Sequence, residues 1–150
     1  MNFRKAVAGT SALKDAYQDG LQGLRKADRA KIVCAEPRRL TGSVDVDKAL
    51  ADLYPNDPRW DYGIGVRKGS SSEHVVWVEV HPATTHGANE VYKKYVWFKQ
   101  WLASSAPLLA NMTGQYVWIA SGEVAIPPNS PHRRRLAAQG ILFAGRKFSI

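Results

Sequence analysis

Cysteine is almost absent from this sequence, since Cys34 is the only one. A lone cysteine forms no disulfide within the chain, and its apolar neighbours predict a small buried residue rather than a nucleophile. No apolar run reaches the roughly 18 residues that a membrane span needs. The N-terminal residues also lack the apolar stretch of a secretory signal. We therefore expect a protein of the reducing cytoplasm with no membrane partner.

Two familiar catalytic patterns are also missing. No serine lies in the G-x-S-x-G setting of an acyl-transfer nucleophile. The four histidines show no zinc-ligand spacing, and His86 is expected to be a surface loop residue. The sequence therefore argues against a serine esterase and against a zinc centre.

Acidic residues are scarce near the end of the chain, where residues 111–150 hold five Lys or Arg and Glu123 alone. Residues 1–60 hold eleven Lys or Arg against eight Asp or Glu, and the net charge is +8. Such an excess predicts an anionic partner, with nucleic acid first, although a basic surface that only aids solubility is the alternative. Guanidinium forks suit phosphate, so the candidate contacts are arginines. They are Arg38, Arg39, Arg133, Arg134 and Arg135.

Apolar periods and turn residues predict one mixed α/β domain over residues 1–150, with helices covering a central mixed β-sheet. A basic, turn-containing link is expected at 38–43, and the last strand is expected to bend at Gly145. The predicted helices are Ser11–Arg29, Asp45–Tyr54, Ala88–Ala103 and His132–Gln139, and the predicted strands are Lys31–Ala35, Asp61–Arg67, His74–Pro82, Gln115–Ala125 and Ile141–Ile150.

The two strands Asp61–Arg67 and His74–Pro82 form a predicted hairpin around the Gly/Ser-rich turn 68–73. Side chains alternate along a strand, so Trp77, Glu79 and His81 share one face and the valines at 76, 78 and 80 share the other.

The register of this hairpin decides which polar groups meet. If Arg67 pairs with Val75, then Asp61 lies opposite His81 and diagonal to Glu79. Two carboxylates and an imidazole in one small space are typical of a divalent-cation site, because a cation offsets the repulsion between the acids.

Asp61, then Glu79-Val80-His81 on the next strand, then a helix and an apolar strand, resemble the PD-(D/E)XK nuclease-like superfamily, also called restriction-endonuclease-like. The resemblance spans roughly residues 11–126 and implies an α-β-β-α-β core. Asp61 and Glu79 match the two acids that bind magnesium in that family. The motif lysine, which helps activate water, is replaced here by His81. The family also tolerates this lysine on the following helix, where Lys93 and Lys94 lie.

The resemblance implies a metal-dependent endonuclease or exonuclease acting on DNA or RNA. Mg²⁺ or Mn²⁺ would be held by Asp61, Glu79 and the backbone carbonyl of Val80. The catalytic candidates are Asp61, Glu79, His81, Lys93 and Lys94, with the last three positioning water or taking a proton.

Other interpretations remain open from the sequence. The chain can be a non-catalytic member of the same fold that binds nucleic acid or acts as a subunit or inhibitor. It can also be a protein-binding module of defence or mobile-element origin, or a homodimer, with Trp97 and Trp101 at the interface. In the plainest alternative, Asp61 only caps the turn after Pro58 and Glu79 only pairs with a lysine.

Overall fold

A computed structural model describes all 150 residues and shows a mixed α/β fold. Five strands form the central sheet, and helices flank it. The strands are β1 (Ile32–Val33), β2 (Leu40–Asp45), β3 (Tyr62–Lys68), β4 (Ser72–Ala83), β5 (Thr113–Val124), β6 (Ile141–Phe143) and β7 (Phe148–Ser149). The α-helices are α1 (Phe3–Ala8), α2 (Lys26–Arg29), α3 (Val46–Leu50), α4 (Thr85–Ser105), α5 (Pro107–Asn111) and α6 (Pro131–Ala138).

The central sheet has the order β2-β3-β4-β5-β6. β2, β3 and β4 are antiparallel neighbours, whereas β5 and β6 run parallel to β4. The parallel step from β4 to β5 needs a crossover, which α4 and α5 supply. The predicted fold class, a single domain with a mixed sheet flanked by helices, is confirmed.

The hairpin of β3 and β4 exists, but its predicted register is wrong by two residues. Arg67 pairs with Glu73, not with Val75, because both strands extend into the expected turn and Lys68 pairs with Ser72. Tyr62 consequently pairs with Val78. Asp61 lies one residue before Tyr62, which brings it level with Glu79.

The two faces of β4 divide the core as the alternation predicted. Trp77 belongs to the core under α4, and its ring meets Phe98 edge-on at a centroid distance of 4.9 Å. Val76 and Val78 belong to a second core on the opposite face of the sheet. Glu79 is therefore on the α4 side, and its side chain is fully buried.

Helix α4 confirms the predicted helix and extends it by about one turn at its start. Thr84 caps it by accepting a hydrogen bond from the N–H of Gly87 at 2.9 Å. Trp101 is buried, and Trp97 is partly buried against the core. The predicted protein-binding interface at Trp97 and Trp101 therefore lacks the large exposed aromatic patch on which it depends. No helix of the structure combines the length and apolar character needed to cross a membrane.

The predicted helix over residues 11–29 is wrong. The segment contains a 3-10 turn at Ser11–Leu13 and only the short helix α2 at its end. Gly23 explains the difference, because its N–H donates to Ser43 Oγ at 2.8 Å. A Cβ at Gly23 would lie 2.8 Å from the Ser43 backbone, so this close approach requires glycine. The chain is therefore held against β2 instead of coiling.

The predicted turn-containing link at 38–43 is correct only at its start, where Pro37–Arg39 forms a 3-10 turn, because Leu40–Asp45 forms the edge strand β2. The Gly42 φ of +147° suits glycine, and the Tyr17 ring packs directly over it. The Tyr17 hydroxyl donates to the Thr41 carbonyl at 2.6 Å. A tertiary contact thus imposes a strand on a sequence with turn character.

The end of the chain forms two short strands rather than one. β6 joins the central sheet, and after a turn at Gly145 (φ +74°) β7 pairs with β1 outside that sheet. The predicted strand at 31–35 shrinks to β1, where Val33 is exposed. Cys34 is half-buried rather than a core residue.

Candidate functional site

Asp61 and Glu79 converge at the edge of the sheet. The N–H of Asp61 donates to Glu79 Oε1 at 3.1 Å, and the N–H of Val80 donates to Asp61 Oδ2 at 3.0 Å. These bonds form because β4 continues past the first residue of β3, which leaves the Val80 N–H without a strand partner. Each carboxylate thus has one oxygen fixed by the backbone. The predicted meeting of the two acids is present.

Lys94 joins the two acids from helix α4. Its Nζ lies 3.3 Å from Asp61 Oδ1 and also donates to Glu79 Oε2. The Lys94 and Asp61 side chains are 17% and 20% exposed, and that of Glu79 is inaccessible. The neighbouring Lys93 is exposed, because successive helix residues point about 100° apart. Of the two candidate lysines, Lys94 alone contacts the acids.

Burial of these charges shifts their protonation. Burial first, and the adjacent Glu79 second, raise the pKa of Asp61 to about 7 despite the opposing effect of Lys94. Burial disfavours the ammonium of Lys94, but the attraction of Glu79 and Asp61 outweighs it and raises the Lys94 pKa. A partly buried acid pair with raised affinity for positive charge favours a cation between its oxygens.

His81 is held between two carboxylates. Its Nδ1 lies 3.2 Å from Glu79 Oε2, and its Nε2 lies 3.0 Å from Glu90 Oε1. The hydrogen bond with Glu79 raises the pKa of His81, and the bond with His81 lowers the pKa of Glu90. Donation to both acids requires both ring nitrogens to carry protons. The raised pKa favours this doubly protonated form, in which His81 bridges Glu79 and Glu90 as a cation.

Glu90 is a member of the site that the sequence analysis missed. It lies four residues before Lys94 and four after His86, so all three occupy one face of α4. His86 is 85% exposed, as expected, but it lies in the first turn of α4 rather than in a loop, with its Nε2 3.5 Å from Glu90 Oε1. The sequence signal for Glu90 is its i, i+4 spacing with Lys94. That spacing identifies Glu90 as a site residue only once α4 is known to cross the end of β4.

The donor atoms fit Mg²⁺ or Mn²⁺ in type. Asp61 Oδ1 and Glu79 Oε2 are hard oxygens, and strand geometry places the Val80 carbonyl on the same edge of β4 as its N–H, which donates to Asp61. The structure contains no group of three or more His, Cys, Asp or Glu arranged to hold a metal. Two carboxylates and one carbonyl would leave an ion with several of its waters, as Mg²⁺ commonly has in proteins. Lys94 contacts the same two oxygens.

Comparison of the chain with protein-family models, curated proteins and solved structures gives no match.

The α6 arginines lie beside the start of α4. Arg135 stacks on the Tyr92 ring at 4.0 Å and donates to Asn89 Oδ1 at 3.3 Å. Arg133 lies over the Phe143 ring at 4.6 Å, and Arg134 is exposed. Because Asn89 adjoins Glu90, this basic group flanks the cluster of Asp61, Glu79 and Glu90, which we call the acidic site.

Arg38 and Arg39 lie at the other end of the sheet. Together with Arg67 they line a cavity of about 520 Å³ beside the hairpin turn. Arg67 lies six residues beyond Asp61 along β3, a distance of about 20 Å. The two arginine groups therefore do not surround one point, and only the α6 group adjoins the acids.

Proposed function

We propose that this protein is a metal-dependent nuclease-like protein that acts on phosphodiester bonds of DNA or RNA, distantly related to the PD-(D/E)XK nucleases. The observation that carries the proposal is the contact of Lys94 with both Asp61 and Glu79. The element order also supports it, since the acids lie on adjacent antiparallel strands that precede a helix and a parallel strand.

The residues of the site have separable roles in this proposal. Asp61, Glu79 and the Val80 carbonyl would hold Mg²⁺ or Mn²⁺, which lowers the pKa of a bound water and offsets charge on the phosphate. Lys94, whose Nζ contacts both carboxylates, would donate a hydrogen bond to the attacking water beside them. His81 holds the Glu79 carboxylate in place from Oε2.

The charge distribution supports nucleic acid as the partner. The net charge is +8, and the α6 arginines adjoin the site. Arg134 is exposed and available for a phosphate, while the guanidiniums of Arg133 and Arg135 lie over aromatic rings. The single cysteine fits action in a reducing cytoplasm.

Cleavage of labelled single- and double-stranded DNA and RNA, with Mg²⁺ or Mn²⁺ and with EDTA, tests the proposal. We expect metal-dependent cleavage that Glu79→Ala abolishes. The neighbouring lysines supply a matched pair of variants. Lys94→Met removes the contact with the acids, and Lys93→Met is the control because it removes the same charge from the same helix turn without touching them. Cleavage that persists in Glu79→Ala rules out this mechanism.

A second candidate is a nuclease-fold protein that binds nucleic acid without cutting it. The observation that favours it is the saturation of Glu79, whose Oε2 meets both Lys94 and His81 while Oε1 accepts from Asp61. Salt-sensitive binding with no cleavage under any metal would support this candidate. Binding that is indifferent to salt would count against it.

A further inference from the structure

A cavity of about 610 Å³ lies between the loop of residues 11–25 and helix α3. We call it the N-terminal cleft. Its volume is within the range of about 300–1,000 Å³ that is usual for small-ligand sites. Its charged and amide side chains are Lys14, Asp15, Gln18, Gln22, Arg25, Asp45 and Lys48.

The wall of the N-terminal cleft is held in place by β2. Gln18 and Ser43 exchange backbone hydrogen bonds of 2.9 Å in both directions. Gly23 adds its bond to Ser43 Oγ at 2.8 Å. An irregular segment fixed to a strand in this way presents side chains on a rigid support, which is how binding loops are commonly built.

Hydrogen-bond donors dominate this cleft. Lys14 and Lys48 form no salt bridge, and the Arg25 guanidinium, 68% exposed, approaches only Asp47 at 3.8 Å. The lining acids are Asp15, which is exposed and forms no salt bridge, and Asp45, which accepts from the Lys48 N–H at 2.9 Å. Three cations thus outnumber two carboxylates, and with two glutamine amides they suit a ligand with a phosphate and a polar ring.

The N-terminal cleft is connected to Asp61 through the backbone of β2 and α3. Asp45 pairs with Tyr62, the residue after Asp61. The N–H groups of Val46 and Asp47 both donate to the Asp61 carbonyl, at 2.9 and 3.3 Å. The start of α3, which borders the cleft through Asp45 and Lys48, is therefore hydrogen-bonded to the backbone of Asp61.

We propose that the N-terminal cleft binds the nucleotide adjacent to the scissile phosphate, with Lys14, Arg25 and Lys48 contacting its phosphate. Gln18 and Gln22 contact the edge of its base. The inference rests on the proposed function, and it adds the side from which the strand enters. The α6 arginines then contact the strand on the opposite side of the acids.

Binding without metal tests this proposal separately from cleavage. A fluorescein-labelled single-stranded oligonucleotide of about twelve nucleotides is titrated in EDTA at several salt concentrations, and anisotropy is read. The double variant Lys14→Gln/Lys48→Gln is compared with Lys5→Gln/Lys147→Gln, which removes two exposed lysines elsewhere. We expect the cleft variant to bind at least about tenfold more weakly, with a salt slope smaller by about two.

Equal losses in the two double variants would overturn the proposal. A nucleoside 5′-monophosphate and inorganic phosphate, followed by amide chemical shifts of Gln18, Gln22 and Lys48, identify the ligand class. Shifts with the monophosphate, combined with unaltered oligonucleotide binding by the folded cleft variant, would indicate a free-nucleotide pocket and also overturn it. If wild type cuts and the cleft variant binds normally, only this proposal fails. If wild type does not cut but the cleft variant binds weakly, the proposed function fails and with it the placement beside a scissile phosphate, while the cleft is still shown to bind the oligonucleotide.

Discussion

The ammonium of Lys94 lies 3.3 Å from Oδ1 of Asp61. The same nitrogen contacts Glu79 Oε2, so an internal cation already bridges the two oxygens that a divalent ion would share. The Lys94 ammonium and a divalent ion therefore compete for the same two carboxylate oxygens, although both would assist the attack of water on the phosphate. This relationship gives opposite predictions for binding and for catalysis.

Lys94→Met is expected to lower cleavage by about a hundredfold or more, because the water loses its donor. The same change is expected to tighten Mg²⁺ binding, because the acids lose their internal counter-ion. Cleavage rates and calorimetric titration measure the two effects. Lys93→Met is the control and should alter both by less than about twofold. Weaker Mg²⁺ binding by the Lys94 variant would contradict the competition.

The His81 ring should titrate above its ordinary range in the metal-free protein, because Glu79 and then Glu90 hold its protonated form. A pKa raised on folding adds stability that is complete below about pH 6.5 and is lost as pH rises through the folded value. Glu90→Gln should lower the His81 pKa and reduce stability mainly at low pH. Imidazole NMR and urea denaturation at pH 5.5 and 8.5 measure these effects. An unchanged His81 pKa in the variant would refute the bridge.

The β3–β4 hairpin and α4 could be predicted from the sequence because their signals are local. Alternating valines flank a Gly/Ser turn, and apolar residues recur at helical spacing after Thr84. The meeting of Asp61 with Glu79 survived an error of two residues in the register, because a shift by two keeps each side chain on its face.

The N-terminal segment could not be predicted, because tertiary contacts decide it. Leu13, Leu21 and Leu24 have helical spacing, yet Gly23 closes onto Ser43 and Tyr17 covers Gly42. Both contacts join positions about twenty or more residues apart. Glu90 was missed for a similar reason, since its role appears only when α4 is placed over His81.

Asp61→Asn should stabilise the metal-free protein at high pH. The Asp61 pKa rises to about 7 through burial and then through Glu79, so deprotonation above the unfolded value near 4 increasingly opposes folding. Removing that charge should add about 2 kcal/mol at pH 8 and little at pH 4, since Asn gives up part of the Lys94 contact. Denaturation at the two pH values measures the difference. A variant less stable than wild type at pH 8 would show that the deprotonated Asp61 carboxylate does not oppose folding.

The two arginine groups should differ in their effect on a short substrate. Arg134→Gln removes an exposed cation beside the site, whereas Arg38→Gln removes one about 20 Å from Asp61. We expect weaker binding of a short oligonucleotide, with a salt slope lower by about one, only for Arg134→Gln. Anisotropy titrations at several salt concentrations measure both. Equal losses would mean that the substrate follows another path.

The most direct measurement is calorimetric titration of Mg²⁺ and Mn²⁺ into wild type, Asp61→Asn and Glu79→Gln at pH 8. The account predicts one site in wild type and its loss, or weakening of at least about tenfold, in either variant, since each removes one of the two anionic oxygens. Circular dichroism confirms that the variants are folded. Wild type that binds neither ion, or variants that bind as well as wild type, would contradict the claim that Asp61 and Glu79 form a cation site.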